Sequence, residues 1–136
     1  MNDNRACGLF VTGTDTGVGK TYVSAMIARS LVAQGRRVGV YKPIASGCDN
    51  GIEGLVSHDA VTLWEAAGRP GTLDRVCPQC FRAPLAPPVA ARLENRTVDG
   101  KLLRSGLDYW SQSSEIVIVE GAGGLMSPVS EDDYVA

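Results

Sequence analysis

The chain has 136 residues and a formal net charge of −2, and 44% of its residues are hydrophobic while 21% are charged. This length predicts a single domain that is large enough to form a hydrophobic core. No basic stripe indicates nucleic-acid binding, and no polybasic, lipidation, signal or transmembrane pattern indicates a membrane. The composition is therefore typical of a cytosolic, reduced protein.

The first predicted elements are a strand at about Leu9 to Thr12, a glycine-bearing loop, and a helix that begins at Lys20. Backbone N–H groups of such a loop bind phosphate oxygens, and the helix N-terminus adds partial positive charge. In this arrangement Lys20 reaches the β- and γ-phosphates of a nucleotide, and the Thr21 hydroxyl binds Mg²⁺. The spacing departs from G-x-x-x-x-G-K-[ST], because Gly13 lies one residue before the first glycine position. A plain glycine turn would need no ligand, but the Lys-Thr pair favours a phosphate loop of variant spacing.

The helix after the loop is followed by a second predicted strand at Val38 to Tyr41. Gly35 is the expected end of the helix. Strand, helix and strand in this order predict a parallel sheet, whose ligands gather at the C-terminal ends of the strands, where Lys42 lies. The helix is expected to bury one apolar face, formed by Val23, Met26, Ile27 and Leu31.

The middle of the chain is predicted to consist mainly of loops. Residues 43–58 are glycine-rich and polar, and we expect no regular structure there. A short helix is predicted from Asp59 to about Ala67, with Leu63 and Trp64 buried. A proline-rich loop is predicted over residues 69–88, and a loop of that length within a compact domain usually has a functional role.

Two further helices are expected at Val89 to Leu93 and at Val98 to Gln112. After them, Glu115 to Val119 is apolar enough to form a strand in the centre of the sheet. Three recognisable strands are few for a doubly wound sheet. We therefore expect one P-loop NTPase-like α/β domain over residues 1–136, with a parallel sheet flanked by helices and incomplete at the C-terminus. The longer helix is expected to have an apolar face of Leu102, Leu103, Leu107 and Trp110.

Three charged residues are candidates for the same site as the phosphate loop. Glu120 follows the predicted central strand, and an acid at that position can bind Mg²⁺ directly or through water. Asp59 could be a second acid beside the metal, and Lys42 could be a second cation for a phosphate or a substrate anion. Each also has a simpler explanation: Glu120 could cap a glycine turn, Asp59 could cap a helix, and Lys42 could be solvated.

The cysteines include one pair with the spacing of redox and zinc motifs, Cys77 and Cys80. A structural zinc site needs four ligands, and the only histidine is His58. The pair lies in a proline-rich loop rather than at the start of a helix after a strand. The simplest interpretation is that these cysteines are inert, with adventitious metal or a redox contact as alternatives, and that His58 is structural. The other two cysteines are Cys7 and Cys48.

Four blocks of the sequence resemble the dethiobiotin synthases: TGTDTGVGKT at 12–21, YKPIASG at 41–47, SHDA at 57–60 and VEGAGGL at 119–125. They occur in the order and at the spacings of that family. The resemblance implies an ATP- and Mg²⁺-dependent cyclo-ligase of biotin synthesis, which converts 7,8-diaminononanoate, CO₂ and ATP to dethiobiotin, ADP and phosphate. In the family, a carbamate of the substrate attacks the γ-phosphate, and the second amine then closes the ureido ring by expelling phosphate from the carbamic-phosphoric anhydride.

The resemblance also implies roles for individual residues. Lys20 and Lys42 would be catalytic, and Thr16, Ser46 and Lys42 would contact the substrate. The Mg²⁺ ligands would be Thr21, Asp59 and Glu120. The nucleotide-binding set would be Gly17, Val18, Gly19, Lys20, Thr21, Tyr22, Asp59, Glu120, Gly121, Ala122 and Gly123. The family is homodimeric, and its adenine-reading segment and dimer interface correspond largely to positions beyond residue 136, so the resemblance does not imply activity of this segment alone.

Other functions remain open on the sequence. The switch ATPases of the partitioning and iron-protein kind share this sheet, but their phosphate loop has a signature lysine where this chain has Asp15. The synthetase domains of cobyrinate-type amidotransferases share the loop style but lack the Tyr41-Lys42-Pro43 block. A non-catalytic nucleotide-binding module would bind nucleotide without turnover.

Overall fold

A computed structural model of this chain describes residues 5–13 and 19–123. Within these ranges the strands are β1 (Cys7–Val11), β2 (Val38–Tyr41), β3 (Ile44–Ala45), β4 (Asp49–Gly51), β5 (Gly54–Val56), β6 (Gln79–Cys80) and β7 (Ile116–Glu120). The helices are α1 (Lys20–Ala33), α2 (His58–Ala66), α3 (Leu73–Val76), α4 (Pro87–Leu93) and α5 (Gly100–Ser113). No helix in the described part of the chain is long and apolar enough to cross a membrane.

The main sheet is parallel and has the strand order β1-β7-β2. β7 lies between the other two strands, and Val117 and Ile118 in it are almost fully buried. The predictions of a parallel sheet and of a buried central strand are therefore confirmed. The register pairs Val11 with Glu120 and Tyr41 with Val119, so the three strands end at the same edge of the sheet.

Helix α1 contacts β7, β2 and α2 through small side chains. Ser24, Ala25 and Ala28 are buried, whereas Val23 and Met26 are about half exposed. The predicted apolar face was therefore wrong for Val23 and Met26. Apolar periodicity locates a stripe on a helix, but small residues beside that stripe allow a closer approach to the sheet, and here they form the contact.

Helix α5 covers the face of β2 near Gly39. Trp110 is buried, and its indole N–H donates to the carbonyl of Arg75 at 2.9 Å. An added Cβ on Gly39 would lie 2.8 Å from Cε3 of Trp110, so this contact needs glycine. The predicted apolar face of α5 is only partly correct, since Leu102 and Leu107 are each 37% exposed.

The prediction that residues 43–58 lack regular structure was wrong. β4 and β5 form a short antiparallel hairpin, and β3 pairs in parallel with β6. Asp, Asn and Gly have low strand propensity, but here backbone pairing determines the conformation. β4 pairs with β5 across a turn, and β3 pairs with β6, which is distant in the sequence. Such pairing is a tertiary property that composition does not reveal.

The predicted loop over residues 69–88 also contains regular structure, because α3, β6 and the start of α4 lie within it. α4 begins at Pro87, and proline is well tolerated in a first helical turn. Helix α2 has Ser57 as its N-cap, whose hydroxyl accepts from the Ala60 N–H at 3.2 Å. The interpretation of Asp59 as a cap is therefore wrong. Leu63 is buried as predicted, whereas Trp64 is only partly buried.

Candidate functional site

A polar cavity of about 320 Å³ lies at the edge where the strands of the main sheet end. Glu120 is the last residue of β7, and Lys42 directly follows β2. The first turn of α1 contributes Lys20 and Thr21. This edge is the expected ligand-binding position in an open parallel sheet. The remaining lining residues are Gly19, Ala45, Ser46, Ser57, Asp59, Ala122 and Gly123.

The start of α1 has the backbone geometry of a loop that turns into a helix. Gly19 has φ 88°, a left-handed conformation that favours glycine, and the helix begins at the next residue. The Lys20 ammonium donates to the carbonyl of Gly123 at 3.0 Å, so the loop after β7 closes over the start of α1. The rest of the predicted phosphate loop, including Thr16, Gly17 and Val18, lies outside the described residues.

Glu120 is the most buried charged residue of the cavity, with 1% of its surface exposed. Its Oε1 accepts hydrogen bonds from the Thr21 hydroxyl at 2.7 Å and from the Lys42 ammonium at 3.2 Å. Its Oε2 is buried and has no hydrogen-bond partner among the described residues. A buried carboxylate oxygen without a partner is costly, so this oxygen indicates a position where a ligand or a cation would be stabilised.

Lys42 joins the two acids of the cavity. Its side chain is 7% exposed, and its Nζ lies 3.2 Å from Glu120 Oε1 and 3.9 Å from Asp59 Oδ2. The Lys42 backbone N–H donates to the Val76 carbonyl at 2.8 Å, which fixes the end of β2 against α3. Asp59 projects from the first turn of α2 and is 56% exposed. The simpler explanation of Lys42 as a solvated lysine is therefore wrong.

The other predicted site residues differ in their placement. Ser46, Ala122 and Gly123 border the cavity. Tyr22 is 69% exposed and does not border it. Gly121 is buried behind it, and its N–H donates to the Val11 carbonyl at 3.1 Å.

Ser57 borders the cavity and was given no role in the sequence analysis. The N-cap role of Ser57 could have been predicted, since a serine directly before an amphipathic helix indicates an N-cap.

The donor set of the cavity suits Mg²⁺ bound together with phosphate. Among the described residues, no group of three or more His, Cys, Asp or Glu side chains is arranged to hold a metal ion. Mg²⁺ usually binds to one or two carboxylates, substrate phosphates and water rather than to an all-protein cage. The Thr21 hydroxyl, the exposed Asp59 carboxylate and the unpartnered Oε2 of Glu120 are oxygen donors of the required kind around one cavity.

Comparison with known proteins assigns the chain to a family. Residues 7–136 match the AAA_26 family model, which is described as an AAA domain. The chain belongs to this family.

Its relatives include proteins named ATP-dependent dethiobiotin synthetase BioD. One from Rhodopirellula baltica is 54% identical over 125 residues, covering 90% of this chain and 49% of the relative. One from Aliivibrio fischeri is 40% identical over 127 residues, covering 93% and 56%. One from Bacillus licheniformis is 42% identical over 132 residues, covering 95% and 54%. The resemblance to dethiobiotin synthetases is therefore shown, and the chain spans about half the length of these relatives.

Proposed function

We propose that the intact protein is a dethiobiotin synthetase, which uses ATP and Mg²⁺ to join CO₂ to 7,8-diaminononanoate and close the ureido ring. The observation that carries the proposal is the Lys42 ammonium, held 3.2 Å from the buried Glu120 beside the first turn of α1. The names of relatives that match 90% or more of this chain support the same reaction. The products would be dethiobiotin, ADP and phosphate.

The proposed reaction brings an anion to an anion, because a carbamate must attack the γ-phosphate of ATP. Cations and oriented dipoles supply most of the stabilisation in such transfers. Lys20 and Lys42 both border the cavity, on α1 and after β2, so their ammonium groups can approach the phosphate from two different elements. We assign them to the negative charge on the phosphate and on the attacking carbamate. After phosphate transfer, attack by the second amine expels phosphate.

Thr21, Asp59 and Glu120 are the proposed Mg²⁺ ligands. When bound, the ion would supply positive charge beside the phosphate oxygens. The chain's own contribution is to orient the Glu120 carboxylate, through the hydrogen bonds that its Oε1 accepts from Thr21 and Lys42.

The remaining proposed site residues lie partly in the cavity wall and partly outside it. Thr16 and Ser46 are proposed to bind the substrate, and Gly17 to Thr21 to bind the phosphates. Tyr22 and residues 121–123 are proposed to belong to the nucleotide-binding set. We further propose that the intact enzyme is a cytosolic homodimer whose second subunit completes the substrate site.

The test is mass-spectrometric detection of dethiobiotin from diaminononanoate, bicarbonate, ATP and Mg²⁺. It is run on this chain and on this chain extended with the C-terminal half of the Rhodopirellula baltica relative. We expect product that depends on all four components with the extended chain. Nucleotide binding without product in that chain would instead favour a non-catalytic module or a switch ATPase.

Substitution of Lys42 tests whether this lysine acts in turnover rather than in ATP binding. Lys42→Ala is expected to retain ATP binding and to lose turnover, because this lysine acts on charge that develops during transfer. Lys101→Ala, which removes an exposed lysine of α5, is the control and is expected to retain both. Turnover by Lys42→Ala that equals the unsubstituted chain would refute the assignment.

A further inference from the structure

Three of the four cysteines lie together, next to the candidate site but outside its cavity. Cys77 follows α3, Cys80 is in β6, and Cys48 follows β3, which pairs with β6. The sulfurs of Cys77 and Cys80 are 3.6 Å apart, and all three thiols are free. Cys48 lies beside this pair, because its N–H donates to the carbonyl of Phe81, the residue after Cys80, at 2.9 Å. The fold thus brings the CxxC pair and a distant third thiol into one cluster.

The pair is accessible from a second, larger cavity of about 880 Å³. Cys77 and Cys80 both border this cavity, and so does Arg96. A cavity of this size can admit a small peptide-like molecule. The Arg96 guanidinium donates to the Cys80 carbonyl at 2.8 Å, so this cavity has a positive charge close to the pair, which would attract a carboxylate of such a molecule.

The backbone around the pair is hydrogen-bonded to the segment that carries two candidate site residues, Lys42 and Ser46. The carbonyl of Val76, which precedes Cys77, accepts from the Lys42 N–H at 2.8 Å. On the other side, the N–H of Phe81, which follows Cys80, donates to the Ala45 carbonyl at 2.8 Å. The segment from Lys42 to Ala45, which Ser46 follows, is therefore held at both ends by residues adjacent to the cysteines.

We propose that Cys77 and Cys80 form a reversible disulfide by exchange with a small-molecule disulfide, and that its closure weakens nucleotide binding at the neighbouring site. The effect on nucleotide binding rests on the proposed function, whereas formation of the disulfide does not. Bond formation reduces the sulfur separation from 3.6 Å to about 2.05 Å. The residues beside the pair must shift to allow this, and the backbone hydrogen bonds transmit the shift to Lys42 and Ala45.

This thiol–disulfide exchange conserves atoms and electrons, and it needs neither a metal nor an enzyme. One cysteine thiolate attacks a sulfur of the small disulfide, which forms a mixed disulfide and releases one thiol. The second cysteine then attacks the protein sulfur of that mixed disulfide, which releases the second thiol. Two electrons pass from the cysteines to the small disulfide, and the two cysteine protons end on the released thiols.

The environment of the thiols makes this exchange slow. A hydrogen bond with Cys48 acts to lower the pKa of the Cys80 thiol, but the hydrogen bond with Cys77, burial and the charge of Cys77 together raise it to about 12. The hydrogen bond with Cys80, followed by burial, raises the pKa of the Cys48 thiol as well. Because the thiolate is the attacking species, incubations of hours are required.

The experiment incubates the folded Cys7→Ser variant with oxidised glutathione, because Cys7 is an exposed thiol that would add background. We expect a mass loss of about 2 Da, mapped to Cys77 and Cys80 and reversed by dithiothreitol. The loss should persist in Cys7→Ser/Cys48→Ser and disappear in Cys7→Ser/Cys80→Ser. An unchanged mass, a stable glutathione adduct, or a bond mapped to Cys48 would overturn the proposed pair.

Nucleotide binding is then measured on the oxidised and the reduced protein with a fluorescent ATP analogue. We expect oxidation to weaken binding by about fivefold or more, in the usual range of coupling between two sites. The same treatment of Cys7→Ser/Cys80→Ser should leave binding unchanged. Equal affinity of the oxidised and reduced forms would overturn the coupling. If the reduced chain binds no nucleotide, the comparison is repeated on the chain extended with the C-terminal half of the Rhodopirellula baltica relative. Absence of binding there as well would refute the proposed function, while the mass measurement still decides the disulfide.

Discussion

The buried pair of Lys42 and Glu120 predicts a large coupling in the free energy of unfolding. The two side chains are 7% and 1% exposed and are 3.2 Å apart, so either charge left alone would be poorly solvated. Breaking a buried ion pair by removing one partner typically costs about 3–5 kcal/mol. Replacing both charged groups with neutral groups of similar size costs less than the sum of the two single changes.

A double-mutant cycle measures this coupling with Lys42→Met, Glu120→Gln and the double variant. Lys42→Met should cost about 3–5 kcal/mol, because Glu120 keeps only the Thr21 hydrogen bond. Glu120→Gln should cost less, since the Asp59 carboxylate remains 3.9 Å from the lysine ammonium. We expect a coupling free energy of about 2 kcal/mol, near the upper part of the usual range for contacting residues.

The assay is urea-induced unfolding of the chain in the absence of nucleotide, followed by circular dichroism. Lys101→Met, which removes an exposed lysine, is the control and should change stability by less than about 0.5 kcal/mol. High salt should reduce the coupling only slightly, because buried pairs are weakly screened. A coupling below about 0.5 kcal/mol would refute the reasoning, since the two charges would then not depend on each other.

Three further substitutions test contacts that stabilise the fold. Gly39→Ala should destabilise the chain by about 1–3 kcal/mol, because its Cβ would lie 2.8 Å from the indole of Trp110 in α5. Gly8→Ala is the control, since no atom lies within 4 Å of the added Cβ, and thermal melts of the two variants should show the larger loss of stability for Gly39→Ala. Gln79→Ala should cost about 2 kcal/mol, because the side chain makes hydrogen bonds of 3.0 and 2.8 Å with the backbone of Asp99 at the start of α5; equal urea midpoints would contradict this. The backbone N–H of Arg37, just before β2, donates to the Glu115 carboxylate and holds its pKa below the ordinary value of 4.5. The ionised carboxylate therefore stabilises the fold above pH 4.5, and this stabilisation is lost as the pH falls through the lowered pKa. Glu115→Gln should therefore lower the melting temperature at neutral pH but not in strong acid.

The main sheet was predictable because its signals are local. β7 is a continuous apolar run, and continuous runs indicate strands covered on both faces. The glycine-bearing loop before Lys20 and Thr21 has a known phosphate-binding pattern, and parallel topology places Glu120 and Lys42 at the same edge. The candidate cavity could therefore be anticipated from residue types at strand ends.

The connections were not predictable in the same way, because tertiary pairing determines them. β3 and β6 have two residues each and pair with a partner more than thirty positions away, so no periodicity could indicate either strand. For the same reason the position of Cys48 beside the Cys77 and Cys80 pair was not predicted. The burial of Lys42 was also missed, because a lysine at the end of a strand is usually solvated and only its acidic partners explain its position here.

The two long connections form one structural unit beside the cavity. Besides the hydrogen bonds at Lys42 and Ala45, the Gly47 N–H donates to the Ala83 carbonyl at 3.1 Å and the Cys48 N–H donates to the Phe81 carbonyl at 2.9 Å. Backbone groups of Lys42, Ala45, Gly47 and Cys48 are thus paired with residues 76–83. A lysine with the catalytic role proposed for Lys42 needs a fixed position, since small misplacements of reacting groups greatly lower the rate. The proline-rich segment therefore supplies rigidity to the site without contributing a side chain to its cavity, and substitutions within residues 76–83 should alter turnover through the placement of Lys42.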